Sequence, residues 1–513
     1  MPARVLFIGL DAAEATLLKR WASRGKLPII AALEATGRTY RLENSMKTLP
    51  GAIWPEIVSG RSCGKVPLYY HPRQLHTGET EIRPILREEV EPKDYFWTRA
   101  SAAGRRVAVI DMPQTVASPE LNGIQLFEWG LHDRNFQISS DPPSLLASLK
   151  SRYGDHPVTK CDLHGRKDAE YASLLDGLLK GAEMKSEILV ELLQGEDWDL
   201  FACTFGESHC AGHQFWHFLD PEHPWHSPRA PQALQCAIQA TYQAIDKGIG
   251  RLVAAAGPDA AVLVLASHGM GPYIGGPRLL SEVLVRLGMG PGSKANSRVS
   301  RIFRGARRRL SRSPEALWPF LKRLGNLGPV KDIQAAAGVS RNPLASPLTK
   351  AVALPNNRCG AIRLNLKGRE PFGRVEPGDE AERLLERISK ELLALRDTKT
   401  NEPIVTRTVT AQEAFGLHHH PDVPDLMVVF RTDLGRLESC RSPSVGNIHV
   451  DLFNPSIPRS GDHSVESRLW ARGPGMGAGP HETSTANVLD IAPTVLRLLD
   501  VPLPEALDGR PLV

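Results

Sequence analysis

Four short runs in this chain are apolar at nearly every position: VLFIGL (5–10), VAVIDM (107–112), LFACTF (200–205) and AVLVLAS (261–267). A strand with one wet face alternates polar and apolar residues, whereas one covered on both faces does not. These runs therefore predict buried parallel strands. Between them, apolar residues recur at helical spacing over 14–36, 167–195 and 231–256. Strand, helix, strand in succession predicts right-handed crossovers and an α/β fold, a three-layer α/β/α sandwich. The tail TANVLDIAPTVLRLLDVPLPEALDGRPLV predicts an amphipathic helix, a Pro/Gly-rich turn and a short last strand. One stretch, 276–345, breaks the pattern with SRVSRIFRGARRRLSRS, which is basic, helix-prone and interrupted by Gly and Pro. It reads either as a solvated helical insertion or as a cap for an anionic partner. The expected division is a discontinuous α/β core, 1–275 and 346–513, with a basic helical insertion at 276–345.

At 513 residues the chain is too long for one simple core. Lys and Arg total 62 against 57 Asp and Glu, a net charge of +5. That balance is too mild to indicate nucleic acid but suits anionic small molecules. The apolar run behind Arg4 is short and ends in Asp11, so it reads as a first strand rather than a signal peptide. No apolar stretch is long enough to span a bilayer. The seven cysteines are odd in number, scattered and without a C-x-x-C pair, which points to a reducing, cytoplasmic setting. Nothing in the pattern indicates an oligomeric state.

In such sheets ligands gather at the carboxyl ends of the strands, and there the chemistry collects. Asp11 ends the first run, and a carboxylate in that place needs a cation, hydrogen-bond donors or a helix to cap. FGESHCAGHQFWH (205–217) places His209 and His213 four residues apart, on one face of a helix, the spacing of two ligands of one Zn²⁺. Chance histidines on a helix give the same pattern. Glu207 could orient a ligand, and His217, between aromatics, reads as packing. His268 follows the fourth run in ASHGMGP, and His463 sits in the polar turn RSGDHS.

Taken in order, FIGLDA, KTLPGAIWPEIVSG, the histidine pair, SHGMG, GDHS…ARGPG and LDIAPTVLRLLDVPLPEALDGRPL resemble the alkaline phosphatase superfamily. The branch they are most similar to is that of the type I phosphodiesterases, nucleotide pyrophosphatases and related phosphohydrolases and phosphomutases. The resemblance implies a two-metal phosphoryl-transfer site. His213 and His463 would serve one ion, Asp11 and His268 the other, and Thr48 would be the bridging nucleophile. Two departures from the family pattern bear on this. His209 and Ser267 stand where the family carries Asp, which removes two negative charges from a site built for two dications. A single zinc held by His209, His213 and His463 is then an alternative to a pair of ions. The nucleophile also has alternatives, since a shorter alignment puts Pro50 at the key position and Ser45 could substitute.

The expected function is hydrolysis of phosphate mono- or diesters with a divalent metal, on an anionic small-molecule substrate. The rivals are a catalytically degenerate binding protein of the same fold and a phosphomutase-type transferase. Tyr70 and Arg73, with His71, are candidates for a substrate pocket. Glu128, His132 and Asp133 read as a salt-bridged turn, and His418, His419 and His420 as a surface turn.

Overall fold

The computed structural model describes residues 4–44, 47–65, 73–131, 134–159, 161, 167–273, 279–291, 344, 349–433, 437–449, 459–477 and 481–513. The central sheet is built from β1 (Arg4–Leu10), β2 (Arg38–Glu43), β3 (Val107–Ile110), β4 (Gly123–Phe127), β5 (Ser139–Asp141), β6 (Leu200–Phe205), β7 (Ala260–Ala266), β8 (Ser467–Arg472) and β9 (His481–Asn487). Their order across the sheet is β9-β2-β8-β7-β1-β6-β3-β4-β5. Strands β7, β1, β6, β3 and β4 run parallel, while β8 enters antiparallel to both β2 and β7.

The unbroken hydrophobicity of the strands has a direct structural cause. In β1, Leu6, Ile8 and Leu10 enter one core while Val5 and Phe7 enter the other. In β7, Val262, Val264 and Ala266 face the first core and Ala261, Leu263 and Leu265 the second. The first core is closed by α1 (Ala15–Ser23), α2 (Pro28–Thr36), and three longer helices, Asp168–Gly195, Glu207–Leu219 and Ala237–Ala256. The second is closed by Ile53–Ser59, Phe96–Ala102 and Ile491–Leu498. Helices thus lie on both faces, and the α/β sandwich expected from the pattern is the fold observed.

Two expectations differ in detail. The single helix read over 14–36 is two, because Gly25 takes a left-handed φ of 69° and Pro28 begins the second helix. The short last strand is absent. After Ile491–Leu498 the chain is irregular through 513, where Pro502, Pro504 and Pro511 lack ladder donors. The tail is tied back instead through the Asp508 N–H to the Gly60 carbonyl at 2.9 Å.

A second sheet lies in the C-terminal half. Ala351–Leu354, Gly360–Leu364, Leu426–Phe430 and Val405–Thr410 pair antiparallel in that order. Helix Asp379–Leu393 closes it, together with Leu279–Arg286 from the first part of 276–345. The arginine-rich run of that stretch lies outside the described residues. What matters for the site is the turn between the first two strands of this sheet, which sends Asn356, Asn357 and Arg358 back toward the central sheet.

Candidate metal centre

Strands β1 and β7 deliver Asp11 and His268 to the carboxyl edge of the sheet, as parallel strands do. The helix Glu207–Leu219 starts immediately beyond β6 and carries His209 and His213. Its whole length is buried except for its last residue. His463 arrives from far along the chain on strand Gly461–Ser464, which pairs antiparallel with Gly269–Pro272. Gly461 makes that approach possible: a Cβ there would lie 2.2 Å from the Gly212 carbonyl oxygen of the helix.

The three imidazoles converge. His209 Nε2 lies 2.9 Å from His213 Nε2 and 2.9 Å from His463 Nε2, and the ligand atoms of all three fall within 4.8 Å of one another. The partners on the outer side of two rings determine their tautomers. His209 Nδ1 faces Asp11 Oδ2 at 2.6 Å, and His213 Nδ1 faces the Gly461 carbonyl at 2.7 Å. Both partners are acceptors, so each Nδ1 carries the proton and donates. In the neutral ring this leaves an Nε2 lone pair directed inward on each. Two inward lone pairs at such a distance are unfavourable unless a positive charge lies among them. A carboxylate or carbonyl behind each imidazole is also the arrangement that fixes a metal-ligating histidine. The donor set fits one divalent ion, and three imidazoles suit zinc among the common ones.

Asp11 is held more tightly than the sequence indicated. Its Oδ1 accepts from Trp54 Nε1 at 2.7 Å while Oδ2 takes His209. Burial alone would raise its carboxyl pKa, but His209, His268 and the Trp54 N–H outweigh that and hold it well below the usual carboxylate range. The resemblance implies Asp11 as a ligand of a second ion, and here its two oxygens meet His209 and Trp54, which set the carboxylate behind the His209 ring. Trp54 went unnoticed in the sequence. Its only signal was a glycine: a Cβ on Gly9 would sit 2.6 Å from the Trp54 ring, so FIGLD leaves room for the indole to reach Asp11. Asp11→Asn should keep the fold and lower metal affinity roughly 10–100-fold, because an amide does not set the His209 tautomer as a carboxylate does. Titration with zinc against a competing chelator measures this.

His268 completes the group. Its ring centroid is 4.5 Å from that of His463 and 6.0 Å from that of His209, and Nδ1 lies 3.0 Å from Ser267 Oγ. Asp11, His209, His268 and His463 line a narrow cleft, together with Gly51, Ile53, Trp54, Gln114 and Asn357. Thr48 is not in this lining. It is buried in the turn before Ile53–Ser59, where its carbonyl accepts from Asn356 Nδ2 at 2.9 Å. Arg73 is exposed and donates to the Ile82 carbonyl at 2.9 Å. Tyr70, His71, Ser45, His132 and Asp133 lie outside the described residues. Glu128 accepts the backbone N–H groups of Asn135 and Phe136, and the rest of the turn expected with it lies outside the described residues.

Glu207 is engaged elsewhere than at the three converging histidines. Its Oε1 faces His156 Nε2 at 3.1 Å and Lys185 Nζ at 3.9 Å. Lys185 is fully buried and also meets Asp111 Oδ2 at 2.9 Å and the carbonyls of Gly130 and Thr204. Burial opposes the Lys185 charge, but Asp111 and Glu207 more than offset it and raise its pKa. This ionic cluster sits behind the first turn of the histidine-bearing helix.

A second imidazole group flanks the centre. His217 Nδ1 lies 2.9 Å from Ser460 Oγ and His223 Nε2 lies 3.1 Å from the Ser460 carbonyl. Burial, reinforced for His217 by neighbouring histidines, lowers their pKa values to about 3 and about 4. Both then stay neutral in the folded chain while the unfolded chain takes up protons below pH ~6.5. Their contribution to stability is complete above that pH and is lost as pH falls toward 4 and then 3, at up to about 1.4 kcal/mol per pH unit for each. Melting curves in chelator should show His217→Gln with a shallower acid slope than the unchanged chain. Equal slopes would exclude His217 as a source.

A family model for type I phosphodiesterase / nucleotide pyrophosphatase matches residues 5–435. A search of the curated proteins returned no match. The matched segment covers Asp11, His209, His213 and His268 and stops short of His463, which the fold brings to the same place. Over most of its length, then, the chain belongs to the type I phosphodiesterase/nucleotide pyrophosphatase family, within the alkaline phosphatase superfamily, whose members are typically phosphoester and pyrophosphate hydrolases.

Proposed function

We propose that this chain is a divalent-metal-dependent hydrolase of phosphate mono- or diesters acting on an anionic small molecule. The observation that carries the reading is the convergence of His209, His213 and His463 with two of their tautomers held from behind by Asp11 and Gly461. These residues would hold the ion, and zinc is our assignment. When bound it supplies positive charge and Lewis acidity to a phosphoryl group. Asp11 keeps His209 aimed and deprotonated at Nε2, Trp54 keeps Asp11 in place, and His268 faces the same cleft beside His463. Family membership supports Thr48 as the nucleophile: its Oγ would form the bond to phosphorus as the ester oxygen leaves, and water would then release the phosphate. The free thiols of all seven cysteines support a reducing, cytoplasmic setting.

One observation favours a second reading, in which the cleft binds a phosphate compound without turning it over: Ser267 supplies a hydroxyl where a second ion would need a carboxylate. Elemental analysis combined with turnover of p-nitrophenyl phosphate and its bis ester separates the two. The hydrolase reading expects a bound dication and turnover that falls at least about 100-fold in Thr48→Ala. Metal without turnover under Zn²⁺, Mn²⁺ and Mg²⁺ supports the binder. Turnover that survives Thr48→Ala moves the nucleophile elsewhere, with Ser45 the first alternative.

A further inference from the structure

We propose that Arg459 is an anion receptor released by metal loading, coupling phosphate binding to the cation. The inference rests on the metal reading above and assigns a partner to a residue outside the ligand set. The Ser460 N–H donates to the His213 carbonyl at 2.7 Å and its Oγ to the same oxygen at 3.2 Å, which fixes the backbone next to Arg459 against the ligand-bearing helix. From there Arg459 Nη1 reaches to 3.3 Å from His213 Nε2. A guanidinium has donors only, so it addresses the same lone pair that a cation would take. The two cannot share it: occupation by a dication ends the contact and sets two like charges side by side. A phosphoryl oxygen between them relieves that repulsion and restores a charge-assisted hydrogen bond. A second positive charge lies close by, since Arg358 is anchored with Nη1 on the His463 carbonyl at 2.6 Å, while the buried Asp462 carboxylate, which both arginines face, offsets part of the two charges.

The test uses the full chain, zinc titrated against a chromophoric chelator, and inorganic phosphate titrated calorimetrically with and without zinc. Arg459→Met should bind zinc several-fold more tightly, since its competitor is gone. The zinc-loaded variant should bind phosphate about tenfold more weakly, the loss of one charge-assisted hydrogen bond. Arg459→Lys, which keeps the charge and perturbs packing less, should fall between the two on both measures. Unchanged or weaker zinc binding in Arg459→Met, or unchanged phosphate binding, overturns the proposal and leaves the metal centre standing. Failure of the unsubstituted chain to bind zinc overturns the metal reading and this inference together, and is seen before any variant is made.

Discussion

His213→Ala is expected to lower zinc affinity by more than about 100-fold and to bring phosphoester turnover to background, while the chain still folds. The removal of one of three ligands should exceed the roughly 10–100-fold expected for a residue that only orients a ligand. The fold should tolerate it because the main losses are the hydrogen bond to the Gly461 carbonyl, the Arg459 contact and one packed ring, about 1–3 kcal/mol. His209→Ala should behave alike in metal binding but carry a further cost, since it leaves the buried Asp11 carboxylate without its closest partner. The ordering to check by chelator competition is therefore His213→Ala weaker than Asp11→Asn, with His209→Ala the least stable of the three on heating. An His213→Ala chain that binds zinc as the unsubstituted one does would remove the triad as the metal site.

The largest effect on stability is expected at Lys185, a residue with no contact to the triad. Its Nζ neutralises Asp111 and Glu207, all three side chains being almost completely buried. Lys185→Met keeps the aliphatic stem and removes the charge, leaving two buried carboxylates without their common cation. The expected loss is about 3–5 kcal/mol, read as a fall in melting temperature. Because Glu207 opens the helix that carries His209 and His213, metal affinity should fall as well, though less than in His213→Ala. Melting within a degree of the unsubstituted chain would mean the cluster relaxes by taking up protons. In that case stability should become more pH-dependent, in the same experiment repeated across pH.

The two predictions differ in how visible their residues were beforehand. His209 and His213 could be paired from spacing alone, since four residues along a helix is a local geometric fact. Lys185 looked like any polar position of a long helix, because nothing local marks which face of Asp168–Gly195 meets Asp111 and Glu207. Arg459 and Trp54 were similarly silent. Each acts through a partner distant in the chain: Trp54 on Asp11 across 43 residues and Arg459 on His213 across 246. Glu207 shows the opposite failure. Two residues from His209, it invited a role toward that ring, yet residues two apart on a helix face different directions, and its carboxylate turns to Lys185 and His156.

By itself the sequence determined the architecture and the chemical types at the sheet edge. Unbroken apolar runs have to be covered on both faces, and covered parallel strands have to present their C-terminal flanking residues at one edge; these constraints are local and periodic. Tertiary structure alone decided which groups meet. It placed His463 against His209 across 254 residues, set Asp11 between His209 and Trp54, and buried Thr48 in the turn before Ile53–Ser59. The physical reason is that burial and lone-pair direction depend on backbones passing closely, as Gly9 does beneath Trp54 and Gly461 beside Gly212. A glycine shows that such an approach is possible without showing what approaches.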